Sequence, residues 1–534
     1  MDYHILVSDR VHQKAIDLFL SQPGFHVEVN TGLSVEALTD IIKSYDGLVI
    51  RSDTRVTAAI IAAAPKLRVI GRAGTGIDNV DVTAATRRGI VVMNTPGGNS
   101  GAAAELTLAL IMAAHRHIPQ AVASVKMGNW EKKRFQGREM AGKILGIIGL
   151  GKIGSLVGKR AGRGLRMNVL GYDPAITESA ASQWGVKPAS LEEIYRRSDV
   201  ITVHTPLNSD TRGMVDSEAF RKMKDGVIIV NCARGGIVDE EALLEALDSG
   251  KVSAAALDDF TVKPTGVHPL VMHPRVISTP HLGASTSEAQ INVAEAIAQQ
   301  MIDYLQRGVV KNAVNVPGSD PADSARIAPY LDLAHRLAQF VGGLAPEGIV
   351  QMEVEYRGEF SAADLGILTN AALVGLLTRF EGTEVNHVNA SVIAQDRGIR
   401  VLETTKKEGI ERAASLRIQV TCSSGSCLSA HGALIKRVGD EPRIIGIDQF
   451  VTEAVPAGPM LIVSNRDIPG MVAGVSGALA DRGINIAQMN LSRDREGGLA
   501  MSIINIDTPA DSATLLAISQ IQGILTAKQV ILDS

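Results

Sequence analysis

Fully apolar runs alternate with amphipathic stretches from the first residues of the chain. Runs that are apolar throughout are typical of strands buried on both faces, and the stretches between them are typical of helices packed on a parallel sheet. The pattern therefore predicts repeated βα units in the N-terminal part of the chain. The predicted strands cover 4–7, 25–29, 47–50, 68–70 and 90–93, with helices at 35–44 and 82–88 among the intervening segments.

A second series of βα units follows a long alanine-rich helix, which is predicted over 100–127. Another long helix, predicted over 285–307, ends at Gly308, and the short strand-like segment 309–318 is expected to return to the first domain. Two long helices on either side of one series of units indicate two domains with a cleft between them. The strands of the second series are predicted at 143–148, 168–172, 200–204, 227–231, 254–257 and 276–278.

Turn-rich segments divide the rest of the chain at 317–321 and 456–459, since clusters of proline and glycine mark loops. The region between them is predicted to be a further α/β domain. The last part of the chain has the order strand, helix, strand, strand, helix, strand, which is the ferredoxin-like order. The predicted domains are 1–98 together with 286–316, then 99–285, 320–453 and 458–534.

Composition narrows the class of protein. The 534 residues suit about three or four domains, and a formal net charge of -4 provides no general attraction for nucleic acid or for an anionic membrane. The three cysteines, Cys232, Cys422 and Cys427, are too few for a disulfide framework and suit a reducing compartment. Because the chain has neither an apolar run of membrane-spanning length nor a signal-peptide pattern at its first residues, a cytoplasmic protein is expected.

A glycine-rich turn follows the predicted strand 143–148 and opens a helix. Gly149 permits a tight turn, Gly151 lets the backbone approach a pyrophosphate, and Gly154 allows close packing of helix on strand. Asp173 ends the next strand, where a carboxylate binds the adenosine ribose and disfavours a 2′-phosphate. Because strand, glycines, helix and acid agree, the pattern predicts an NAD site, and a purely structural glycine turn is the less favoured alternative.

Three polar segments follow strands of the same series and should meet at the carboxyl edge of its sheet. They contain Arg234, Asp258 and His281. Oxidation of an alcohol beside a carboxylate requires a base for the hydroxyl proton and a cation for the carboxylate. An imidazole titrates near neutrality, so His281 suits the first task, and the planar guanidinium of Arg234 suits the second. Taken alone, each residue could equally be a structural histidine or a surface arginine, and no metal site is predicted.

The segments around these residues resemble those of the D-2-hydroxyacid dehydrogenase family, and in particular its long bacterial D-3-phosphoglycerate dehydrogenases. The resemblance covers the whole chain. The matching segments are GRAGTGIDNVD at 71–81, NTPGGNSGAAAELT at 94–107, GLGKIG, GYDP, TVHTPL at 202–207, NCARGGIVDE and PHLGAST.

The resemblance implies a fold of class α/β. A Rossmann-type NAD-binding domain is inserted in a flavodoxin-like substrate-binding domain, followed by an α/β intervening domain of the allosteric substrate-binding type and a ferredoxin-like ACT domain. The implied reaction is NAD-dependent oxidation of 3-phospho-D-glycerate to 3-phosphohydroxypyruvate, the first step of L-serine biosynthesis.

The resemblance also implies functional residues by their place in these segments. The implied cofactor contacts are Thr75, Gly149, Gly151, Lys152, Ile153, Gly154, Asp173, Thr205, Cys232, Ala233, Arg234, Asp258, His281, Leu282, Gly283 and Ala284. The implied substrate contacts are Arg51, Ser52, Arg72, Asn99, Ser100 and Gly101. Physical reasoning supports Arg51 and Arg72 independently, because two guanidinium groups at strand ends facing the cleft suit an acid with a phosphate and a carboxylate. Each alone could be an ordinary arginine of a sheet edge.

One position departs from the family pattern. The family pairs its catalytic histidine with a glutamate, and the matching residue here is Lys263, with Asp259 in place of the usual apolar residue. A protonated lysine has no acceptor for the second ring nitrogen of His281. Three explanations stay open: Asp259 takes over, the enzyme works with a weakened histidine, or the chain is an impaired homologue. A solvent-facing Lys263 without effect is a fourth. We predict that Lys263→Glu raises turnover, and no gain would rule out a limiting role for this position.

The segment 461–470 leads from a strand into a helix and resembles that of ACT domains, which bind amino acids. By this resemblance Asp467 and Asn485 contact the charged and polar groups of an amino acid, with Asn465 as a weaker candidate. Feedback inhibition by L-serine is expected. Because such modules commonly pair between subunits, a homo-oligomer, and specifically a tetramer, is expected.

Two other functions stay open. The same chemistry could act on glyoxylate, hydroxypyruvate or 2-oxoglutarate, although the arginines and the C-terminal sensor favour the phosphorylated acid. A non-catalytic, NAD-responsive regulatory protein is supported only by Lys263, while Arg234 and His281 argue against it.

Overall fold

A computed structural model of the chain describes residues 2–264, 266–316, 324–345, 348–381, 385–406, 414–435 and 441–532. The strands of these residues form four separate sheets, which follow one another along the chain. No helix in the described ranges is long and apolar enough to cross a membrane. The exact domain boundaries given above stay predictions.

The first sheet belongs to the N-terminal series of units. Its elements are β1 (Tyr3–Val7), α1 (Gln13–Leu20), β2 (Phe25–Val29), α2 (Val35–Ile41), β3 (Gly47–Ile50), α3 (Ala58–Ala62), β4 (Val69–Arg72), α4 (Val82–Arg87) and β5 (Val91–Met93). The strands are parallel in the order β2-β1-β3-β4-β5, which is the flavodoxin-like order. Helices cover both faces, so Ile5 and Val49 pack in one core while Leu6 and Leu48 pack in another.

The helix predicted over 100–127 is broken into two. These are α5 (Ser100–His115) and α6 (Ile118–Lys126). Pro119 lies in the first turn of α6, and in a continuous helix its ring would collide with the carbonyl of His115. The chain instead turns at His117, which has a left-handed φ of 54°, and the freed His115 carbonyl accepts a hydrogen bond from Arg138 N at 3.1 Å. The prediction of one helix is wrong because of this proline.

The second sheet is parallel and seven-stranded within the described residues. Its elements are β6 (Ile144–Ile148), α7 (Lys152–Leu165), β7 (Asn168–Tyr172), α8 (Glu178–Gln183), β8 (Lys187–Pro188), α9 (Leu191–Arg197), β9 (Val200–Val203), α10 (Ser217–Lys222), β10 (Val227–Asn231), α11 (Glu240–Asp248), β11 (Val252–Leu257), α12 (Pro269–Met272) and β12 (Val276–Ser278). The order is β12-β11-β10-β9-β6-β7-β8, which is a Rossmann order with a switch point between β6 and β9. Such a switch point opens a crevice at the carboxyl ends of the strands.

One long helix returns the chain to the first sheet. This helix is α13 (Ser287–Arg307), and its Met301 lies in the core of the first domain. It ends at Gly308, which has a φ of 69°. The predicted strand after it is wrong for residues 309–316, which form only an isolated bridge at Ala313. The side chain of Asn315 binds Val92 N at 2.9 Å in place of a strand ladder.

The third sheet mixes parallel and antiparallel pairs. Its elements are α14 (Ser324–Leu344), β13 (Ile349–Arg357), α15 (Ala362–Glu381), α16 (Ala390–Asp396), β14 (Arg400–Lys406), β15 (Ser415–Cys422), β16 (Cys427–Ile435), β17 (Glu441–Ile447) and β18 (Phe450–Ala454). Only β13 and β14 pair in parallel. The turn predicted at 456–459 is confirmed only for residues 456 and 457, because Gly458 and Pro459 already belong to the next strand. The turn predicted at 317–321 lies outside the described residues.

The fourth sheet has the predicted strand and helix order. Its elements are β19 (Gly458–Arg466), α17 (Met471–Ala480), β20 (Ile486–Arg493), β21 (Leu499–Ile506), α18 (Ser512–Ser519) and β22 (Ile524–Leu532). Alternate residues of β19 face different cores, because side chains along a strand point to opposite faces. Leu461 packs in a core with Val475 of α17 and Ile518 of α18, while Met460 packs in a core with Leu337 of α14. The fourth domain is therefore attached to the third through a shared core.

Candidate active site

Two contacts bridge the cleft between the first and second domains. Arg234 Nε lies 3.1 Å from Asp78 Oδ2, and Lys152 Nζ donates to Pro96 O at 2.9 Å. Arg234 follows β10 and Lys152 begins α7, whereas Asp78 and Pro96 follow β4 and β5. The carboxyl edges of the two parallel sheets therefore face the same cleft, where open α/β folds bind ligands.

The glycine turn between β6 and α7 has room for a dinucleotide. Gly149 has a φ of 93°, and a Cβ on Gly154 would lie only 2.0 Å from Gly149 O, so Gly154 must be glycine for the helix to start there. By contrast, a Cβ on Gly151 would meet no described atom within 4 Å. The open space lies at a helix N-terminus, which favours a phosphate group. The turn therefore fits the pyrophosphate of NAD.

The neighbouring strand ends suit the adenosine half of NAD. Asp173 accepts hydrogen bonds from Leu150 N at 2.8 Å and Ala175 N at 2.9 Å. An ionised carboxylate has about four acceptor positions, so Asp173 retains acceptors for ribose hydroxyls. The Thr205 hydroxyl is buried after β9 and has no partner among the described residues, which leaves it available to a ligand.

Cys232 faces the interior of the second domain. Its side chain belongs to a core with Ala104 of α5 and Ile153 of α7. Burial raises the pKa of the Cys232 thiol to about 12, although a hydrogen bond with Thr107 lowers it. The thiol is therefore protonated at neutral pH, and the cofactor contact of Cys232 stays a prediction. Ala233 follows it, with Ala233 N held by Asn231 Oδ1 at 3.0 Å.

The turn that carries His281 is held by hydrogen bonds to the carboxylate of Asp258. The buried Asp258 carboxylate accepts hydrogen bonds from Thr279 Oγ1 at 2.5 Å, Leu282 N at 2.7 Å and Gly283 N at 2.9 Å. His281 has a φ of 56°, a left-handed conformation that is uncommon for residues other than glycine. Three hydrogen bonds to one carboxylate hold this strained turn, which continues through Ala284 to α13.

Asp259 lies beside the imidazole of His281. Oδ1 of Asp259 is 3.2 Å from Nδ1 of His281, and Oδ2 accepts a hydrogen bond from Gly235 N at 3.4 Å. Burial alone would raise the pKa of Asp259, but the contact with His281 and backbone donors hold that pKa below its ordinary value. Lys263 is exposed. Of the residues left open by the sequence, Asp259 is the one that contacts the histidine.

Arginines of both domains share one side of the cleft. Arg72 Nε donates to Asn79 Oδ1 at 3.1 Å, and Asn79 Nδ2 donates to Arg51 O at 2.7 Å. Burial and then the charge of Arg234 lower the pKa of Arg72 to about 10, with Asp78 opposing this change and Arg51 adding to it. Arg72 is still cationic at neutral pH, so three guanidinium groups act on one region.

The other predicted substrate residues lie around the start of α5. Asn99 Oδ1 accepts a hydrogen bond from Thr75 Oγ1 at 2.8 Å. Ser100 is buried as the first residue of α5, and Gly101 O accepts from Arg160 Nη1 at 3.2 Å. Ser52 is exposed, and its hydroxyl lies 3.4 Å from Asp53 Oδ1.

The sequence reasoning missed Asp78 and Asn79. Both follow β4 inside the segment GRAGTGIDNVD, so their position as polar residues after a buried strand was the available signal. Asn79 joins the two arginines predicted to bind substrate, and Asp78 joins the first domain to Arg234.

A separate cavity of about 510 Å³ in the fourth domain is lined by Asn465, Asp467 and the start of α17. Asp467 Oδ2 accepts hydrogen bonds from Gly497 N and Arg493 Nη1, each at 3.1 Å, and the two contacts, in that order, lower the pKa of Asp467. Asn485 does not line this cavity. It precedes β20, at the opposite end from Arg493, and donates to Asp507 Oδ2 at 2.8 Å.

Family models match three parts of the chain. Residues 108–283 match the NAD binding domain of D-isomer specific 2-hydroxyacid dehydrogenases. Residues 326–448 match the D-3-phosphoglycerate dehydrogenase intervening domain, and residues 459–523 match the ACT domain. The fold and the site therefore define an NAD-binding dehydrogenase of the D-isomer specific 2-hydroxyacid class.

Similar proteins narrow the class further. The chain is 41% identical over 529 residues to D-3-phosphoglycerate dehydrogenase of Archaeoglobus fulgidus, covering 98% of this chain and 99% of that protein. It is 42% identical over 527 residues to the protein of the same name from Synechocystis, covering 98% and 94%. The crystal structure of NAD+-bound 3-phosphoglycerate dehydrogenase from Entamoeba histolytica is 31% identical, with a TM-score of 0.51 over 59% of this chain and 99% of that chain. The chain belongs to the D-3-phosphoglycerate dehydrogenase family, which confirms the resemblance found in the sequence.

Proposed function

We propose that this chain oxidises 3-phospho-D-glycerate to 3-phosphohydroxypyruvate with NAD, as the first step of L-serine synthesis. The observation that carries the proposal is the grouping of Arg51, Arg72 and Arg234 in the cleft that also holds His281. A substrate with a phosphate at one end and a carboxylate at the other requires several cations in one place. Membership of the family supports the same reaction.

Each of the cleft residues has a separate proposed role in the oxidation. Arg234 holds the substrate carboxylate, and Arg51 and Arg72 hold the phosphate. His281 takes the proton of the C2 hydroxyl on Nε2, because Nδ1 faces Asp259. Bound at the glycine turn and Asp173, NAD would supply the acceptor for the hydride that leaves C2 as the C–O bond becomes a carbonyl. The proton on His281 then passes to solvent, and the net products are ketoacid, NADH and one proton.

Steady-state kinetics test the substrate assignment. We expect kcat/KM for 3-phospho-D-glycerate to exceed that for D-glycerate, which lacks only the phosphate, by at least about 100-fold, because charged groups built to bind phosphate would be left unpaired. Equal values for the two acids would favour the other 2-hydroxyacids and 2-oxoacids instead. In Arg72→Ala, the preference for the phosphorylated acid should shrink while D-glycerate turnover stays similar.

A homo-oligomer is supported by α6. Ile118, Val122 and Val125 are spaced so that they share one helix face, and each is about half exposed, at 48%, 48% and 52%. Met127 and Trp130, which follow α6 in the chain, are also exposed, at 71% and 86%. An apolar stripe of this kind is typical of an interface, and we propose that a second copy covers it. A tetramer would require a further interface, for which the fourth domain is the candidate.

Effector binding is proposed for the cavity at Asp467. Its carboxylate suits the ammonium group of an amino acid, and L-serine is the proposed ligand, acting by feedback inhibition. Because Asn485 lies at the other end of β20, we propose that it contributes to this site from a second copy. The free thiols of Cys232 and Cys427 suit the proposed cytoplasmic location.

A further inference from the structure

Two consecutive carboxylates after β11 contact different parts of the turn that carries His281. Asp258 binds the backbone of the turn at Leu282 and Gly283, and Asp259 contacts the imidazole of His281. This division is possible because neighbouring side chains at the end of a strand point in opposite directions. One carboxylate therefore sets the place of the histidine, and the other sets the orientation of its ring.

Asp259 is itself held in position. Its side chain is only 15% exposed, against 50% for His281. Gly235 N donates to Oδ2 at 3.4 Å, and Gly235 has no room for a side chain because a Cβ would lie 2.0 Å from the Phe260 carbonyl carbon. Thr261, on the other side of Phe260, is fixed by Glu240 through Thr261 N at 2.6 Å and Oγ1 at 2.7 Å. The carboxylate is thus preorganised between Arg234-Gly235 and the histidine turn.

Other charged groups near Asp259 and His281 have their own hydrogen-bond or ion-pair partners. Asp258 accepts three hydrogen bonds from the turn. Arg234 pairs with Asp78, and Glu240 binds Thr261 and lies 3.7 Å from His268. Lys263 is exposed, with no hydrogen bond or ion pair to any residue in the described ranges. Asp259 is therefore the carboxylate placed to interact with the protonated ring.

We infer that Asp259 is the positioning residue of this reaction. It accepts a hydrogen bond from Nδ1–H of His281, so that Nε2 faces the substrate as the base. The inference rests on the proposed function, because it requires His281 to move the proton. A carboxylate on one ring nitrogen fixes the tautomer and stabilises the imidazolium formed during oxidation. Lys263 has no part in this arrangement, and the chain needs no carboxylate at that position.

Asp259→Asn tests the inference with a side chain of the same shape and no charge. We expect kcat to fall about 10- to 100-fold while KM for 3-phospho-D-glycerate and Kd for NAD change less than about twofold, because neither ligand contacts Asp259 in this account. The acidic limb of the kcat/KM profile should move to lower pH, since the imidazolium loses its anionic neighbour. A merely structural role would not shift that limb.

Asp248→Asn is the matched control. Asp248 Oδ1 lies 3.5 Å from Nε2 of His273 in the same domain, so the variant removes a carboxylate from another histidine, and wild-type kinetics are expected. Lys263→Glu is a second test at an exposed position that does not threaten folding. The sequence predicts a gain in turnover for this variant, but the structure predicts unchanged kcat, because Asp259 already contacts Nδ1 of His281. A clear gain in kcat would overturn the inference.

The result also separates this inference from the proposed function. Wild-type kcat and pH profile in Asp259→Asn, together with an inactive His281→Asn, would overturn the role of Asp259 and leave the reaction intact. A wild-type protein that forms no NADH from 3-phospho-D-glycerate would instead remove the proposed function on which the inference rests.

Discussion

Arg234 of the second domain lies 3.1 Å from Asp78 of the first domain, so the side chain proposed to hold the substrate carboxylate also joins the two walls of the cleft. The guanidinium can reach this place because residue 76 is glycine. A Cβ on Gly76 would lie only 2.0 Å from Arg234 Nη2. The position of the cation therefore depends on a residue of the opposite domain.

Gly76→Ala should move Arg234 away from its site. We expect kcat/KM for 3-phospho-D-glycerate to fall at least about 10-fold, because a misplaced catalytic group loses orientation. Gly164→Ala is the control, since a Cβ at Gly164 of α7 meets no described atom within 4 Å. It should leave the kinetics unchanged. Equal kcat/KM in the two variants would contradict the proposed role of Arg234.

Two glycines of the nucleotide turn should respond differently to alanine. Gly151→Ala should fold normally, because its Cβ would meet no described atom within 4 Å, but it should bind NAD at least about 10-fold more weakly, since the methyl group occupies the place of the pyrophosphate. Gly154→Ala should lower the melting temperature, because its Cβ would lie 2.0 Å from Gly149 O. Titration of NADH fluorescence and thermal unfolding measure the two effects. Wild-type NAD affinity in Gly151→Ala would mean that the cofactor lies elsewhere.

L-serine should inhibit the wild-type enzyme through the cavity at Asp467. Asp467→Asn removes the negative charge proposed to bind the ammonium group, so the serine concentration for half inhibition should rise at least about 10-fold with uninhibited turnover unchanged. Asp481→Asn, at the end of the same helix α17, should behave like wild type. Inhibition of Asp467→Asn at the wild-type serine concentration would refute this site.

The apolar stripe on α6 should hold two copies together. Val125→Asp places a charge on a side chain that is 52% exposed, and sedimentation velocity should detect a smaller species than wild type. Leu20→Asp, at 57% exposure on α1, is the control and should leave the sedimentation coefficient unchanged. If both variants sediment like wild type, α6 is not an interface.

Cys232 and Cys427 should differ in reactivity. Burial raises the pKa of Cys232 to about 12, so at pH 8 its sulfur is protonated and unreactive, because the thiolate is the nucleophile. Cys427 is exposed and should be alkylated by iodoacetamide under the same conditions. Peptide mass spectrometry identifies the modified residue. Rapid labelling of Cys232 would show that its thiol reaches solvent.

The sequence predicted most strands because buried parallel strands are continuous apolar runs between turns. It failed where one side chain decided the outcome. Pro119 broke a helix that its alanine-rich neighbours favoured, and Asn315 replaced a predicted strand by side-chain hydrogen bonds. The sequence could not show whether Asp259 pairs with His281, because that depends on the direction in which its side chain points after β11. The sequence likewise could not show that Asn485 and Asp467 lie apart, because their distance depends on how the strands of the fourth sheet are arranged.

The most direct test of the account is the initial rate of NADH formation from 3-phospho-D-glycerate and NAD in wild type and His281→Asn. Asparagine suits this position because it tolerates the left-handed backbone conformation. We predict that wild type forms NADH and that the variant is slower by about 10²- to 10⁴-fold. An equal rate in the variant, or no NADH from wild type, would contradict the central claim that His281 moves the proton in this oxidation.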